Sequence, residues 1–367
     1  MFDYVIVGAG YSGSVFAERI ATQLNQKVLV IDKRNHIAGN AYDYYNEDGI
    51  LVHKYGPHWF HTNDKNVFSY LSKFTDWHFH YHRVKTYVDG KLLPIPINYD
   101  TLNELYGLNL RSPKDVQEFY DQVKVSIANP ANSEEMVISQ VGEDLYKKFF
   151  KGYTLKQWEI DPKDLAASVT ARIPTRTNRD DRYFTDTYQG VPKYGYTEMF
   201  KKMLDHPNIS LMLQTDYRDV INELNFKTLI YTGPIDSYFD YKFGKLPYRS
   251  LRFEHETFNQ ESYQGHQQIN YPNDYDFTRI VEWKHATGQK STNTTITREY
   301  SLLATDDMEK YYPIPRDENH ILYKKYQEEA DRLTNVIFCG RLADYKYYNM
   351  DQVVARALML FEKTVNF

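Results

Sequence analysis

The chain has 367 residues, of which 42% are hydrophobic and 25% are charged, and this balance is ordinary for a soluble globular protein of two or three domains. The formal net charge of −5 excludes a general attraction to nucleic acid or to an anionic membrane, so local Arg and Lys side chains have to hold any anionic ligand. The single cysteine, Cys339, excludes an internal disulfide and a thiolate metal cage.

The apolar segments are all too short to span a bilayer, and the N-terminus begins at once with a strand pattern instead of a signal peptide. The sequence therefore predicts a cytoplasmic protein with no membrane insertion. Cys339 lies in a short apolar run, which predicts a buried structural thiol.

The N-terminal segment carries the pattern of a dinucleotide-binding site. A predicted strand over residues 4–7 runs into Gly8, Gly10 and Gly13 and then into a helix pattern. Gly8 lets the chain turn, Gly10 lets the backbone approach a pyrophosphate, and Gly13 lets the helix pack closely on the sheet.

A second predicted strand ends at Asp32, a position suited to accept a hydrogen bond from a ribose hydroxyl. Lys33 and Arg34 follow, and then a flexible turn at Gly39 and Asn40. This continuation is similar to that of flavoproteins that bind FAD. The alternative for Arg34 is a solvated surface charge.

Further elements follow in chain order. Residues 84–88 and 91–93 predict a hairpin. Residues 99–167 show helical patterns with N-caps at Ser112 and Asn132. Residues 172–189 and 248–300 are extended and predict one antiparallel sheet.

Two late apolar strands, over residues 228–233 and 336–341, end in glycine like strands that approach a cofactor, and a C-terminal helix starts near Met350. These patterns predict an α/β fold: a Rossmann-like FAD-binding domain with an inserted helical lobe and an antiparallel β-sheet domain. The predicted FAD-binding domain comprises residues 1–76, 188–236 and 325–367, the helical lobe 98–170, and the sheet domain 77–97, 171–187 and 237–324.

A series of segments resembles the prokaryotic UDP-galactopyranose mutases in order and spacing, over nearly the whole chain. The segments are residues 55–62, 151–158, 172–174, 182–184, 231–236 with 238–240, 277–280, 311–313, and 340–342 with 345–348.

The resemblance implies interconversion of UDP-galactopyranose and UDP-galactofuranose on reduced FAD without net redox change. It implies that flavin N5 attacks the anomeric carbon, UDP leaves, and the sugar–flavin adduct opens and recloses. It also implies a homodimer serving cell wall and surface polysaccharide synthesis. The reductant of the flavin is left unidentified, because no separate NAD-binding domain is evident.

The resemblance also implies roles for individual residues. Arg172 and Arg279 match two catalytic arginines that hold the substrate diphosphate, a task suited to guanidinium groups. Their alternative is an ion pair at the surface. Phenols at Tyr183, Tyr312 and Tyr347 match phosphate contacts, and we expect them to act as neutral donors and not as bases.

The uracil base is expected to lie in the helical lobe. Phe149, Phe150, Tyr153 and Thr154 match its contacts, although the aromatic spacing also fits an ordinary helix core. Trp158 is expected on the loop after that helix, matching the mobile loop that closes over substrate. The alternative is a core tryptophan.

Further residues are expected around the flavin and the sugar. His58 is expected to tune flavin N5 through hydrogen bonding, and a metal site at His58 and His61 is disfavoured for want of a nearby carboxylate or thiolate. The remaining implied contacts are Ser12, Gly340, Arg341 and Met350 with the cofactor, and Asn270 and His82 with the substrate.

Three positions near the expected sugar depart from the family pattern. Asn349 stands where many members carry an acidic residue, which weakens a carboxylate base there and favours a helix N-cap, and we keep Asn349 as a catalytic and cofactor-binding candidate. His82 replaces an amide, and Trp59 replaces an aliphatic residue.

The hexose therefore stays open, and UDP-N-acetylgalactosamine or a dTDP-deoxyhexose are alternatives. Two alternatives come from other functional classes. A flavin amine oxidase or dehydrogenase would have an amine-binding or apolar cavity. A noncatalytic binding module is disfavoured, because it would have no use for complete FAD-binding elements.

Overall fold

A five-stranded parallel sheet forms the centre of the computed structural model, which describes residues 1–171 and 175–365. Its central strands are apolar at every position, without polar alternation, as expected for strands covered on both faces. In spatial order the strands are Ile209–Met212, Val28–Ile31, Tyr4–Val7, Thr228–Tyr231 and Val336–Phe338. Both late strands predicted from the sequence therefore join the N-terminal ones.

Helices bury one face of this sheet in a common apolar core. The N-terminal helix Tyr11–Gln23 lies directly after the glycine turn and packs against the C-terminal helix Met350–Val365. Because Gly13 has no side chain, this helix approaches the sheet closely: a Cβ there would lie 1.9 Å from the Gly8 carbonyl oxygen. The other helices of this layer are Lys65–Leu71 and Tyr196–Leu204.

A seven-stranded sheet forms the second layer and carries the candidate substrate site. In spatial order its strands are Tyr312–Pro313, Tyr248–Phe258, Thr294–Leu303, Arg279–Glu282, Gln268–Asn270, Val84–Val88 and Lys91–Ile95. All neighbours are antiparallel except Gln268–Asn270 with Val84–Val88, which run parallel. The predicted hairpin forms the edge of this sheet.

The helical lobe shares an apolar core with the edge hairpin of the large sheet, and two of its helices begin where the capping residues predict. Ser112 caps the helix Pro113–Val123 with a reciprocal capping box, and Asn132 caps Ser133–Val141. The remaining helical segments of the lobe are Tyr99–Tyr106, Glu143–Leu145, the π-helical turn Tyr146–Lys151, Gly152–Trp158, the 3₁₀ turn Pro162–Asp164 and Ser168–Ala171.

Two small sheets connect the layers and correct part of the sequence prediction. Strand Tyr188–Pro192 pairs with Phe60–Thr62 and with Trp77–Phe79, so the extended residues near 189 do not join the large sheet as predicted. The second small sheet pairs Asp43–Tyr45 with Leu51–His53. Short backbone ladders of this kind are fixed by long-range packing more than by local pattern.

The remaining elements lie mostly at the edges of the layers. The domain boundary predicted at residue 325 falls inside the helix Asp317–Ala330, and a boundary between domains is expected at an end of a helix and not within it. The short elements are Tyr217–Val220, Ile235–Tyr238, Lys284–Thr287 and the 3₁₀ turns Gly39–Ala41 and Ile221–Glu223. Within residues 1–171 and 175–365, every helix is too short or too polar to cross a bilayer.

Candidate active site

A cavity of about 440 Å³ opens at the carboxyl ends of the parallel strands, where open α/β sheets bind their ligands. Most of the residues predicted to bind the cofactor line it. They are Gly8, Gly10, Ser12, Asp32, Lys33, Arg34, Gly39, Asn40, His58, Gly340, Arg341 and Met350.

Two predicted cofactor residues lie outside this lining. Gly13 sits beneath the glycine turn and serves packing. Asn349 is at the N-cap position of the C-terminal helix, where its carbonyl accepts the Val353 amide at 3.0 Å and its own amide donates to Gln352 Oε1 at 2.9 Å. This placement agrees with the predicted N-cap.

The floor of the cavity is a cradle of bare backbone that fits a pyrophosphate. Gly10 and Gly39 pack backbone against backbone: a Cβ on Gly39 would lie 2.9 Å from the Gly10 Cα, and a Cβ on Gly10 would lie 3.7 Å from the Gly39 Cα. Gly8 has φ of +105° and lies against Thr232, so a side chain there is excluded as well. The amides that start the helix Tyr11–Gln23 face this cradle, as anion binding requires.

Asp32 holds the cradle in shape. Its Oδ2 accepts the Ala9 amide at 2.8 Å, and its Oδ1 accepts the Arg34 amide at 2.9 Å. A carboxylate accepts up to about four hydrogen bonds. Asp32 thus braces the loop while keeping the capacity to accept a ribose hydroxyl.

Arg34 is mostly buried, so the surface-charge alternative is wrong. Its Nη2 donates to Asn40 Oδ1 and to Glu309 Oε2, both at 2.8 Å, and its guanidinium stacks over Tyr55 at 4.3 Å. Glu309 also approaches Lys33, at 3.3 Å. Both cations are therefore already compensated by a carboxylate that lies far away in sequence.

His58 lines the inner end of the cavity as a neutral imidazole. Its Nδ1–H donates to the Gly56 carbonyl at 2.9 Å, which assigns the tautomer and leaves a lone pair on Nε2. Burial, with smaller contributions from Arg341 and Arg279, lowers the pKa of His58 to about 4, although the hydrogen bond to Gly56 opposes this shift. At neutral pH His58 can accept a hydrogen bond but carries no charge.

Strand register brings Asn270, Arg279 and Glu299 side by side on the large sheet. Arg279 Nη2 donates to Glu299 Oε2 at 2.7 Å, and the Glu299 side chain is only 1% exposed. Among the described residues, the buried Nε of Arg279 has no hydrogen-bond partner. The arginine is thus fixed in orientation with donor capacity to spare, as an anion clamp needs.

Phenol rings surround this arginine. Tyr312 stacks on Tyr347 at 5.0 Å, and the guanidinium of Arg341 lies over both rings. Burial raises the pKa of Tyr312, as do Tyr347 and Glu299, while Arg341 and Arg279 lower it. The net shift is upward, so this phenol is a neutral hydrogen-bond donor and not a base.

The predicted base-binding residues divide into two groups. Phe149 and Phe150 lie in the apolar core of the helical lobe, as the core alternative expects. Tyr153 lies near the Arg279–Glu299 pair: burial raises the pKa of its phenol, the nearby Arg279 lowers it and Glu299 raises it. Thr154 is buried on the same helix.

Trp158 is the last residue of the helix Gly152–Trp158 and is 5% exposed. The prediction that Trp158 lies on the loop after this helix is therefore wrong, because Trp158 belongs to the last turn of the helix. Arg172 lies outside the described residues, so its position relative to Arg279 stays a prediction.

His82 lies deep beside the site, 4% exposed, with its ring 5.3 Å from Trp59 and 5.6 Å from Tyr183. Burial lowers its pKa to about 3. The unfolded chain takes up this proton near pH 6.5 and the folded chain only near 3, so protonation favours unfolding between these values.

We therefore expect that His82→Gln removes part of the acid sensitivity of the fold. Lowering the pH from about 7 to about 5 should cost about 2 kcal/mol of unfolding free energy through this one residue, as measured by urea unfolding. The variant should lose less stability than the wild type over this step. The exposed His320→Gln serves as control, and an identical loss in both variants would contradict the assignment.

His61 has a carboxylate partner that the sequence does not reveal. Its Nδ1 lies 2.8 Å from Asp186 Oδ2, and its ring stacks on Phe184 at 3.6 Å. The expectation that His61 has no nearby carboxylate is therefore wrong. Across residues 1–171 and 175–365, however, no group of three or more His, Cys, Asp or Glu side chains is arranged around a common metal position. Cys339 is buried as predicted, and burial raises its pKa to about 12.

Sequence reasoning missed Glu299, the partner of Arg279. Strand alternation offers a signal: Thr297, Glu299 and Ser301 share one face of the strand Thr294–Leu303. A carboxylate on a face otherwise occupied by small polar residues indicates a paired buried charge.

Comparison with known proteins adds the family. A UDP-galactopyranose mutase model matches residues 148–347, and a model of an NAD(P)-binding Rossmann-like domain matches residues 6–74. A probable UDP-galactopyranose mutase of Klebsiella pneumoniae is 38% identical over 97% of this chain and 93% of its own length. A dTDP-fucopyranose mutase of Escherichia coli is 36% identical over 98% of this chain and 97% of its own.

Solved structures agree on the fold. The crystal structure of a reduced UDP-galactopyranose mutase matches with a TM-score of 0.80 at 16% identity, covering 100% of this chain and 94% of that one. A putrescine oxidase matches with a TM-score of 0.60 at 12% identity, covering 100% of this chain and 99% of that one. Identities this low establish a shared fold and nothing about substrate.

Proposed function

The chain belongs to the UDP-galactopyranose mutase family, and we propose that it interconverts UDP-galactopyranose and UDP-galactofuranose with FAD in the reduced state. The observation that carries the proposal is the Arg279–Glu299 pair among phenols, set beside a dinucleotide cradle. An anion clamp next to a nucleotide cavity suits a substrate that carries a diphosphate.

The residues of the cavity fit FAD. The bare backbone at Gly8, Gly10 and Gly39 leaves room for a pyrophosphate to approach the amides at the start of the helix, and Asp32 has acceptor capacity left for the ribose. Family and Rossmann domain together imply a flavin cofactor. When bound and reduced, the flavin supplies the nucleophile for the anomeric carbon of the sugar.

The chain's own residues bind and orient the substrate. Arg279, held by Glu299, offers its Nε–H to the diphosphate and stabilises the charge that develops on departing UDP. We propose Arg172 as the second clamp. Tyr312, Tyr347 and Tyr183 donate neutral hydrogen bonds to the same phosphates.

His58 keeps a neutral imidazole against the cofactor cavity. Its Nε2 lone pair can accept a hydrogen bond from the edge of the flavin, because Nδ1–H already donates to the Gly56 carbonyl. Asn349 offers an amide and no carboxylate, so we assign no proton transfer to it. Tyr153 and Thr154 serve the base, while Phe149 and Phe150 support them from the core.

A second candidate is conversion of a dTDP-6-deoxyhexose, which the relative named dTDP-fucopyranose mutase at 36% identity favours. The clamp suits the diphosphate of either nucleotide sugar, and the cradle serves FAD in both cases. The choice depends on contacts with the sugar, where His82, Trp59 and Asn270 lie. A homodimer in the cytoplasm is part of the same proposal.

Anaerobic turnover tests the function. Purified enzyme is reduced with dithionite and given UDP-galactopyranose or dTDP-fucopyranose in separate reactions, with oxidised enzyme as control, and products are followed by chromatography. A furanose product from the reduced enzyme alone is expected. Substrate-dependent flavin reduction by an amine, without any furanose product, would overturn the proposal in favour of an oxidase.

A further inference from the structure

The end of the helix Gly152–Trp158 is tied to the large sheet at a single carbonyl. Gln157 O accepts from Arg249 Nε at 2.9 Å and from Ser301 Oγ at 2.6 Å. Arg249 also donates to Glu159 Oε2 at 3.0 Å and to Ser301 Oγ at 3.1 Å. Two side chains of the sheet thus hold the carbonyl before Trp158, and Arg249 also holds the Glu159 carboxylate after it.

Arg249 is fully buried, with 0% of its side chain exposed, whereas its acidic partner Glu159 is 51% exposed. A buried guanidinium is tolerated only when its hydrogens are given to acceptors. Two of the three acceptors of Arg249 belong to the end of this helix. The burial of Arg249 and the docking of the helix end therefore depend on each other.

The conformation at Glu159 fits this dependence. Glu159 adopts φ of +52°, a left-handed conformation that residues other than glycine adopt at a cost, and its amide closes the helix onto Leu155 O at 2.7 Å. The ion pair with Arg249 offsets part of that cost. The helix is thereby stopped directly after Trp158.

The tie lies beside the anion clamp. Ser301 follows Glu299 by two residues and shares its face of the strand, and Arg249 pairs in register with Tyr312. The same helix carries Tyr153, which lies near enough to Arg279 and Glu299 for both charges to act on the pKa of its phenol. Holding the helix end on the sheet therefore also sets the distance between Tyr153 and the clamp.

We propose that Arg249 and Ser301 form a latch, acting as positioning residues that hold the end of the helix Gly152–Trp158, and with it Tyr153, against the strand that carries Glu299. The effect of the latch on turnover rests on the proposed function, whereas the holding of the helix end does not. The helix has a second tether, Lys156 Nζ to the carbonyls of Tyr271 and Asp274 at 2.7 and 2.8 Å.

Hydrogen exchange of the intact holoenzyme, read by mass spectrometry, tests the latch without any substrate. Ser301→Ala removes one hydrogen bond to Gln157 O and should speed amide exchange in residues 152–160 by up to about 10-fold. Ser301→Thr keeps the hydroxyl and should exchange like the wild type. Arg252→Ala, an exposed position three residues after Arg249 on the same strand, serves as control.

Kinetics then connect the latch to the site. Arg249→Lys keeps the charge but loses the forked geometry, so KM for the nucleotide sugar should rise while FAD content stays unchanged. If Arg249→Lys fails to fold, the comparison of Ser301→Ala with Ser301→Thr by hydrogen exchange still tests the latch. Unchanged exchange in Ser301→Ala would overturn the latch even if the wild type is an active mutase. If Ser301→Ala exchanges faster but the wild type shows no turnover, the latch stands and the proposed function is contradicted.

Discussion

Replacing Arg279 by alanine is expected to lower kcat/KM for nucleotide-sugar conversion by about a thousand-fold, equivalent to about 4 kcal/mol of transition-state stabilisation. The guanidinium lies in a buried site, where charge-assisted hydrogen bonds to phosphate are strong. Its Nε is buried and has no hydrogen-bond partner among residues 1–171 and 175–365. Steady-state assays with the reduced enzyme measure the effect.

The same substitution also leaves Glu299 buried and unpaired, which should cost about 3–5 kcal/mol of stability. Arg279→Ala combined with Glu299→Gln separates the two effects, because the amide needs no counter-charge. The double variant should regain most of the stability and none of the activity. Arg298→Ala, which loses an ion pair with Glu256 and an interaction with Tyr263, is the matched control. Near-normal turnover in Arg279→Ala would remove this residue from the clamp.

Gly10→Ala is expected to abolish FAD binding while the apoprotein still folds. A Cβ on Gly10 would make an ordinary contact of 3.7 Å with the Gly39 Cα, so the fold tolerates it, but it takes space that a pyrophosphate needs beside this backbone. The flavin absorbance of the purified protein and its thermal unfolding with and without added FAD measure both parts. We expect a loss of at least about 100-fold in FAD affinity, about 3 kcal/mol.

Gly13→Ala should fail for a different reason. Its Cβ would lie 1.9 Å from the Gly8 carbonyl oxygen and 3.1 Å from Ile6, so helix and sheet have to separate. Overpacking of this kind costs about 3 kcal/mol, and the apoprotein itself should be destabilised. Equal apoprotein stability in the two alanine variants would contradict this division between binding and packing.

The dinucleotide site was largely readable from sequence because its parts are contiguous. Strand, glycine turn, helix and Asp32 all lie within the first 32 residues, so local backbone requirements alone fix their arrangement. Helix starts at Ser112 and Asn132 were readable for the same reason, since a cap bonds amides within three residues. Family membership followed from motifs spread along the chain.

The carboxylate partners of the buried basic residues could not be predicted from the sequence. Glu299 with Arg279, Glu309 with Arg34 and Asp186 with His61 are separated by 20, 275 and 125 residues. Which charge meets which depends on strand register and on how the layers pack, and a surface pair and a buried clamp look alike in sequence. The prediction for Arg34 was incomplete on this ground.

The sequence by itself determined the fold class, the cradle and the family, because each rests on short-range geometry or on motifs that keep their spacing. Only the tertiary structure decided that Glu299 fixes Arg279, that His58 is neutral and that Arg249 reaches Gln157. Burial and long-range hydrogen bonding set the charge and orientation of a side chain, and neither exists until the layers pack together.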